Sequence, residues 1–304
     1  MTVTPQLSEE VEAALRHGRP VVALETTLVS HGFPGAQGVE VALAAEARVR
    51  QAGAVPSTIG IMDGAVRAGL TPAELERFAS AGPEARKAGP RDLAACVVQG
   101  ALGATTVGGT LAVCRLAGIG FMATGGTGGV HRRFAESLDI SADLPQIART
   151  RALVVSSGVK SILDVPATAE LLETLGVPVL GWRTGTLPLF YSDTGGPPVS
   201  AVVTAAKEAA LIIAAHWQLN GSTGVLLTRP PEPSLEIEPV IADAVARVES
   251  QGVRGQSVTP SVLALVHELT EGRSAEVNRQ LIADNAALAA EVAVAYSAAD
   301  GAAR

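Results

Sequence analysis

Short apolar runs rich in β-branched residues, each followed by a stretch with helical spacing, constrain this chain more than any other feature. Pro20–Leu24 (PVVAL), Ser57–Met62 (STIGIM), Ala104–Val107, Ile119–Ala123, Ala152–Ser156, Val177–Gly181 and Gly224–Thr228 read as strands. They are apolar throughout rather than alternating, which is the pattern of strands covered on both faces. Gln37–Ala52 and Arg91–Ala101 read as helices, and after Ile237 the pattern is helical only. Thr71-Pro72-Ala73-Glu74 is a helix start, with Thr71 as N-cap, Pro72 in the first helical position and Glu74 closing a capping box. Thr259-Pro260 and Ser274 are further start signals, and the helix from Ser274 is predicted to reach about Tyr296. The expectation is an α/β protein: three α/β/α layers, a largely buried mixed sheet and a helical C-terminal region. No repeat or low-complexity tract divides the chain. Gly195–Ser200 (GGPPVS) reads as a loop, so residues 1–304 are taken as a single domain.

Composition narrows the function. With 304 residues, 47% of them apolar, the chain can bury a sizeable core. A net charge of −7 argues against a dominant basic face, so no nucleic-acid partner is expected. The first residues, MTVTPQLSEEVEAALRHG, are acidic and amphipathic, unlike a signal peptide. No apolar run approaches the roughly 18 residues a membrane span needs, so no membrane partner is expected either. Cys96 and Cys114 sit in apolar stretches and read as buried small hydrophobes, which fits a reducing cytoplasm. Of 23 basic residues only Lys87, Lys160 and Lys207 are lysines. A coding bias explains the scarcity. It also makes each surviving lysine a candidate for work that needs an amine able to lose its proton, which arginine cannot do.

Ligands of buried parallel sheets gather at the carboxyl ends of the strands, and four polar segments lie there. Glu25-Thr26-Thr27 with Ser30-His31-Gly32 follows PVVAL. Glu25 suits a general acid or base, or equally a loop cap or an arginine partner. Thr124-Gly-Gly-Thr-Gly-Gly-Val-His131-Arg132 follows GIGFMA. Its glycines let backbone N–H groups nest around a phosphate, helped by His131 and Arg132, or they make a flexible loop. Asp139-Ile-Ser141-Ala142-Asp143 suits a hydrated divalent cation, or a helix cap from Ser141 or Asp143. Ser156-Ser157-Gly158-Val159-Lys160, with Asp164 four further on, places an amine just past a buried strand. Desolvation there favours a neutral nucleophile; the alternative is an ion pair with Asp164. Lys87 falls in a polar loop, either solvated or on a phosphate, and Lys207 lies on the exposed face of an amphipathic helix with no role.

ALETTLVSHG, ATTVGGT, ATGGTGGVHR, DISADL, GVKSILDVPAT, ETLGVPVLGWRT and SAEVNRQL, in this order, resemble the pseudouridine-5′-phosphate glycosidase family, which includes proteins named for indigoidine synthesis. The resemblance runs from about Glu10 to Ala295. It implies reversible cleavage of pseudouridine 5′-phosphate to uracil and ribose 5-phosphate, with one Mn²⁺ per subunit, in a cytoplasmic homotrimer. It implies Glu25 as proton donor and Lys160 as the nucleophile that forms an adduct at ribose C1′. It also implies Lys87, Val107, Ser141, Ala142 and Asp143 as substrate contacts, Asp139 as the metal position and Asn278 as a contact to uracil. His131 joins the substrate contacts through the phosphate reading of its loop. The chain departs from the family pattern at Arg133-Phe134, at Arg229-Pro-Pro-Glu-Pro233 and at Ser156-Ser157, which leaves the base side open. Two alternatives stand beside this reading: C-ribosylation of an aromatic acceptor with ribose 5-phosphate in specialised metabolism, and a non-catalytic nucleotide-binding module.

Overall fold

The computed structural model describes residues 3–303 apart from 222, 254, 256 and 257; Met1 and Thr2 of the acidic N-terminal stretch lie outside the described residues. Along the chain the strands are β1 (Gln6–Leu7), β2 (Val21–Glu25), β3 (Val55–Met62), β4 (Ala65–Ala68), β5 (Arg86–Ala88), β6 (Gly103–Thr105), β7 (Phe121–Ala123), β8 (Val130–His131), β9 (Leu153–Ser156), β10 (Leu163–Asp164), β11 (Val179–Trp182), β12 (Ala201–Val203) and β13 (Val225–Thr228). The main sheet runs β1-β4-β3-β2-β7-β9-β13-β11-β12, with β6 joining β3 and β5 joining β6. Its central strands are parallel, and antiparallel pairing is confined to β3–β4 and β3–β6. β2, β3, β9 and β13 are buried at every residue, as their unbroken apolar runs predict. The sheet is thus mixed and covered on both faces, in three α/β/α layers.

The helices are α1 (Glu9–Arg16), α2 (Ala36–Gln51), α3 (Pro72–Ala81), α4 (Leu93–Val98), α5 (Val107–Ala117), α6 (Phe134–Ser137), α7 (Asp143–Ala148), α8 (Val165–Thr174), α9 (Ala206–Asn220), α10 (Glu238–Ser250), α11 (Val258–Leu269) and α12 (Arg273–Ala303). α12 packs on β2, β7 and β9 and against α2 and α9, while α5 contacts β2, β3 and α7. By length and hydropathy alone α12 would cross a bilayer, contrary to the sequence expectation of no such stretch. Over half of its apolar window is buried inside the protein, and small residues such as Ala286, Ala289 and Ala290 let it lie close to the sheet.

Several boundaries shift for local reasons. Val107 is not the end of a strand. Thr106 caps α5 by accepting from Gly109 N at 3.2 Å, which makes Val107 the first helical residue. The helix expected over Arg91–Ala101 shortens to α4. Thr259 and Ser274 lie inside α11 and α12 rather than before them, and Thr270 Oγ1 accepts from Ser274 N at 3.2 Å. The Thr71–Glu74 capping box forms as predicted, with both reciprocal hydrogen bonds.

Candidate active site

The carboxyl ends of β2, β7 and β9, three neighbours at the centre of the sheet, deliver Glu25, Thr124 and Ser156-Ser157 to one edge. Thr26 and Thr27 knit this edge together. Thr26 Oγ1 donates to Ile59 O at 2.8 Å and accepts from Thr105 N at 2.8 Å, and Thr27 Oγ1 donates to Thr105 O at 2.7 Å. β6 is thereby tied alongside the end of β2, and β5 carrying Lys87 comes with it. Lys87 is therefore in a strand, not in a polar loop. Burial drives its amine below the usual lysine range, Lys160 adds to this, and Asp143, Glu25 and Asp139 oppose it.

Glu25 is 4% exposed and accepts from Thr124 Oγ1 at 2.5 Å. Burial raises its carboxyl above the ordinary value; Lys160, Thr124 and Lys87 pull it down again and Asp143 pushes it up. Among the described residues the carboxyl bonds the hydroxyl of Thr124, the first residue after the neighbouring strand β7, and no loop N–H. Lys160 is half-buried and makes no ion pair with Asp164 among the described residues. Asp164 instead caps α8 by accepting from Ala167 N at 3.0 Å. Lys207 is exposed, as expected.

Much of the glycine-rich loop's backbone is already hydrogen-bonded within the protein. The N–H groups of Thr124, Thr127, Gly128, Val130 and His131 already donate to Val155 O, Gly158 O, Asp143 Oδ2, Thr168 Oγ1 and Asp139 O. Its glycines answer to close packing. A Cβ on Gly128 would lie 2.2 Å from Ser141 Oγ and 2.8 Å from Asp143 Oδ2. We predict that Gly128→Ala costs about 1–3 kcal/mol of stability by overpacking and displaces Asp143. Thermal denaturation with and without saturating ribose 5-phosphate checks both, with the ligand-induced rise in Tm lost in the variant.

Asp143, 5% exposed, accepts from Gly108 N at 2.7 Å and Gly128 N at 2.9 Å, stapling the first turn of α5 to the glycine loop. Ser141 Oγ accepts from Asp143 N at 3.2 Å, while Ala142 is exposed at the start of α7. Val107 is 1% exposed, so its side chain belongs to the core. His131 Nδ1 stands 3.9 Å from Asp139 Oδ2; burial lowers the imidazole, Asp139 raises it, and Lys87 and Lys160 lower it. The Arg132 guanidinium donates to Ser161 O at 2.8 Å and pairs with Glu238 at 2.7 Å. Asn278 is 2% exposed with a partnerless Oδ1 against Gly125. Lys87 thus lies within electrostatic reach of Glu25, His131, Asp139, Asp143 and Lys160. Neither of two surface cavities, of about 330 and 560 Å³, includes Glu25, Lys87 or Lys160.

Sequence reasoning gave no role to His31, on the π-helical turn Leu28–Gly32, whose Nε2 is buried without a partner and whose imidazole is lowered by burial and by Lys87. Nor did it single out Asn285 of α12, whose signal was a second asparagine two turns beyond Asn278.

Residues 10–295 match the family model described as indigoidine synthase A like protein. The chain belongs to this family. It is 48% identical over 298 residues, 96% of this chain and 92% of the relative, to the pseudouridine-5′-phosphate glycosidase of Streptomyces griseus subsp. griseus. It is 46% identical to the protein of the same description from Herpetosiphon aurantiacus, covering 95% of this chain and 97% of that one. Among solved structures, the prealnumycin C-glycosynthase AlnA in complex with ribulose 5-phosphate superposes with a TM-score of 0.90 at 40% identity, covering 99% of this chain and 100% of that one. An indigoidine synthase A-like protein from Thermotoga maritima superposes with a TM-score of 0.88 at 35% identity, covering 97% of each.

Proposed function

We propose that this protein is a pseudouridine-5′-phosphate glycosidase that reversibly cleaves the carbon–carbon glycosidic bond to give uracil and ribose 5-phosphate. The observation that carries the reading is a buried Glu25, bonded by Thr124 and with its carboxyl raised by burial and lowered by Lys160, in a chain nearly half identical to relatives of that description. The bond joins two carbons, so protonating a leaving heteroatom does not break it. In this reading Glu25 gives its proton to the ring oxygen as the C1′–O bond breaks and the Lys160 amine bonds to C1′. The C1′–C5 bond then breaks: the nitrogen lone pair forms an imine and the bonding pair goes to uracil C5, which takes up a proton. Water hydrolyses the imine, restoring Lys160 and releasing ribose 5-phosphate. Lys87 and His131 supply charge and donors for the phosphate. Asp143 and Ser141 hold the loop that faces it, with Ala142 and Val107 offering backbone contacts and Asn278 Oδ1 accepting from a uracil N–H.

Asp139 is a half-exposed carboxylate, and no group of three or more His, Cys, Asp or Glu suited to a metal occurs among the described residues. That donor set fits a divalent cation that keeps most of its waters, as Mn²⁺ would at Asp139. Bound there, Mn²⁺ would offset the negative charge of the substrate phosphate. A homotrimer and a reducing cytoplasm complete the reading; the cysteines are free and buried, and burial pushes the Cys114 thiol up to about 12.

The test is to incubate the protein with pseudouridine 5′-phosphate, with Mn²⁺ or with chelator. The expected result is equimolar uracil and ribose 5-phosphate, strongly reduced by chelation. The likeness to a C-glycosynthase favours a second reading, in which ribose 5-phosphate is joined to an aromatic acceptor. No uracil release from a protein that still forms a Lys160 adduct with ribose 5-phosphate would select it.

A further inference from the structure

We infer that Asn285 is a positioning residue that fixes the Glu25 carboxyl and the Lys160 amine relative to each other. The inference rests on the glycosidase reading of this site. Asn285 is completely buried in α12, and its carboxamide is engaged by the protein itself. Its Nδ2 donates to Thr124 O at 2.9 Å, Ser157 Oγ at 3.1 Å and Gly125 O at 3.4 Å, and its Oδ1 lies 3.4 Å from Ser157 Oγ. Thr124 is the first residue after β7, and Ser157 the first after β9. One carboxamide therefore bridges the ends of two adjacent parallel strands.

Each end leads directly to a reacting group. Thr124 Oγ1 donates to Glu25 at 2.5 Å. Three residues after Ser157 comes Lys160, whose N–H donates to Thr127 O at 3.1 Å in the same glycine loop. Ser157 N also donates to Gly125 O at 2.9 Å, so the two segments and the amide close a ring of hydrogen bonds. An amide suits this place because it presents two donors and an acceptor in one plane, while a buried carbonyl left without a donor is costly. Glutamate and lysine reach the substrate from different strands, so their separation depends on how those strand ends are held. A displacement near 1 Å is enough to cost about a hundredfold in rate.

The experiment compares Asn285→Ala and Asn285→Gln with wild type for uracil release, for the pH profile of kcat, and for the rate at which borohydride traps the ribose 5-phosphate adduct. Asn285→Gln keeps the amide one methylene out of place, and serves if the alanine variant does not fold. The expected result is a kcat lowered about tenfold to a hundredfold with KM nearly unchanged and slower trapping. The alkaline limb of the profile should also move upward, because the Thr124 hydrogen bond that holds the Glu25 carboxyl down is loosened among unchanged charges from Lys160, Lys87 and Asp143. Thr124→Val should move that limb in the same direction. Variants with a lowered Tm but unaltered kcat, trapping rate and pH limb would show a purely structural asparagine and overturn the inference. A wild-type protein that forms no adduct and releases no uracil overturns the glycosidase reading, and this inference with it.

Discussion

Lys160→Arg should be folded and inert. The substitution keeps a long basic side chain at a half-buried position, so the melting temperature is expected to stay close to wild type. A guanidinium holds its proton throughout the accessible pH range and forms no imine. Turnover should therefore fall by about four to six orders of magnitude, the scale on which an enzyme loses activity when its covalent nucleophile is removed. Mass spectrometry after borohydride treatment with ribose 5-phosphate gives the direct readout. Wild type gains one reduced sugar on the peptide containing Lys160, and Lys160→Arg gains none. If the variant acquires the adduct elsewhere, Lys87 is the residue to examine, because burial favours its neutral amine. That result would reassign the nucleophile while leaving the site where it is.

Glu25→Gln should lose about 10²–10⁴-fold in kcat, the contribution of a positioned general acid. Glutamine has the same shape, and its amide oxygen still accepts from Thr124 Oγ1, so packing is preserved while the transferable proton is lost. The pH dependence carries a sign of its own. Burial raises the folded-state pKa of Glu25 above its unfolded value of 4.5, so the folded protein binds this proton more tightly. The stability linked to Glu25 is complete below pH 4.5 and is lost as pH rises through the folded value. Proton donation to the ring oxygen is lost over the same interval. Wild type should thus show an alkaline decline in kcat together with a decline in Tm, and Glu25→Gln should lack that component of the Tm decline. A variant retaining a tenth or more of wild-type activity would place the acid elsewhere, with Asp143 the nearest carboxyl in electrostatic terms.

The buried strands were legible because their apolar runs lack the alternation of half-exposed strands, and Thr71–Glu74 because a capping box is closed within four residues. The placing of Glu25 and Lys160 at the carboxyl edge of the sheet was legible because Glu25 closes one such strand and Lys160 follows another four residues on. The glycine loop was legible from its composition, but not the partners that hold it: the N–H groups of Thr127, Gly128 and Val130 donate to Gly158, Asp143 and Thr168, which neighbouring residues alone do not announce. Lys87 looked like a loop residue because a three-residue strand carries no periodicity, and β5 exists only through its pairing with β6. Asn285 was missed because its partner Thr124 lies 161 residues away, and the seven-residue spacing from Asn278 does not say what either asparagine bonds.

The small antiparallel pair β8–β10 stands apart from the main sheet and matches His131 with Leu163 and Val130 with Asp164. One of its strands leads into Asp139, and the other is reached through Lys160. The proposed metal side and the nucleophile side therefore share a single patch, joined to the parallel strands beneath it through the glycine loop. Substitutions in residues 130–141 are then not free of those in residues 159–164. An exchange of active-site segments with another member of the family would have to carry both stretches together. A graft of either one alone would join two halves shaped by different histories.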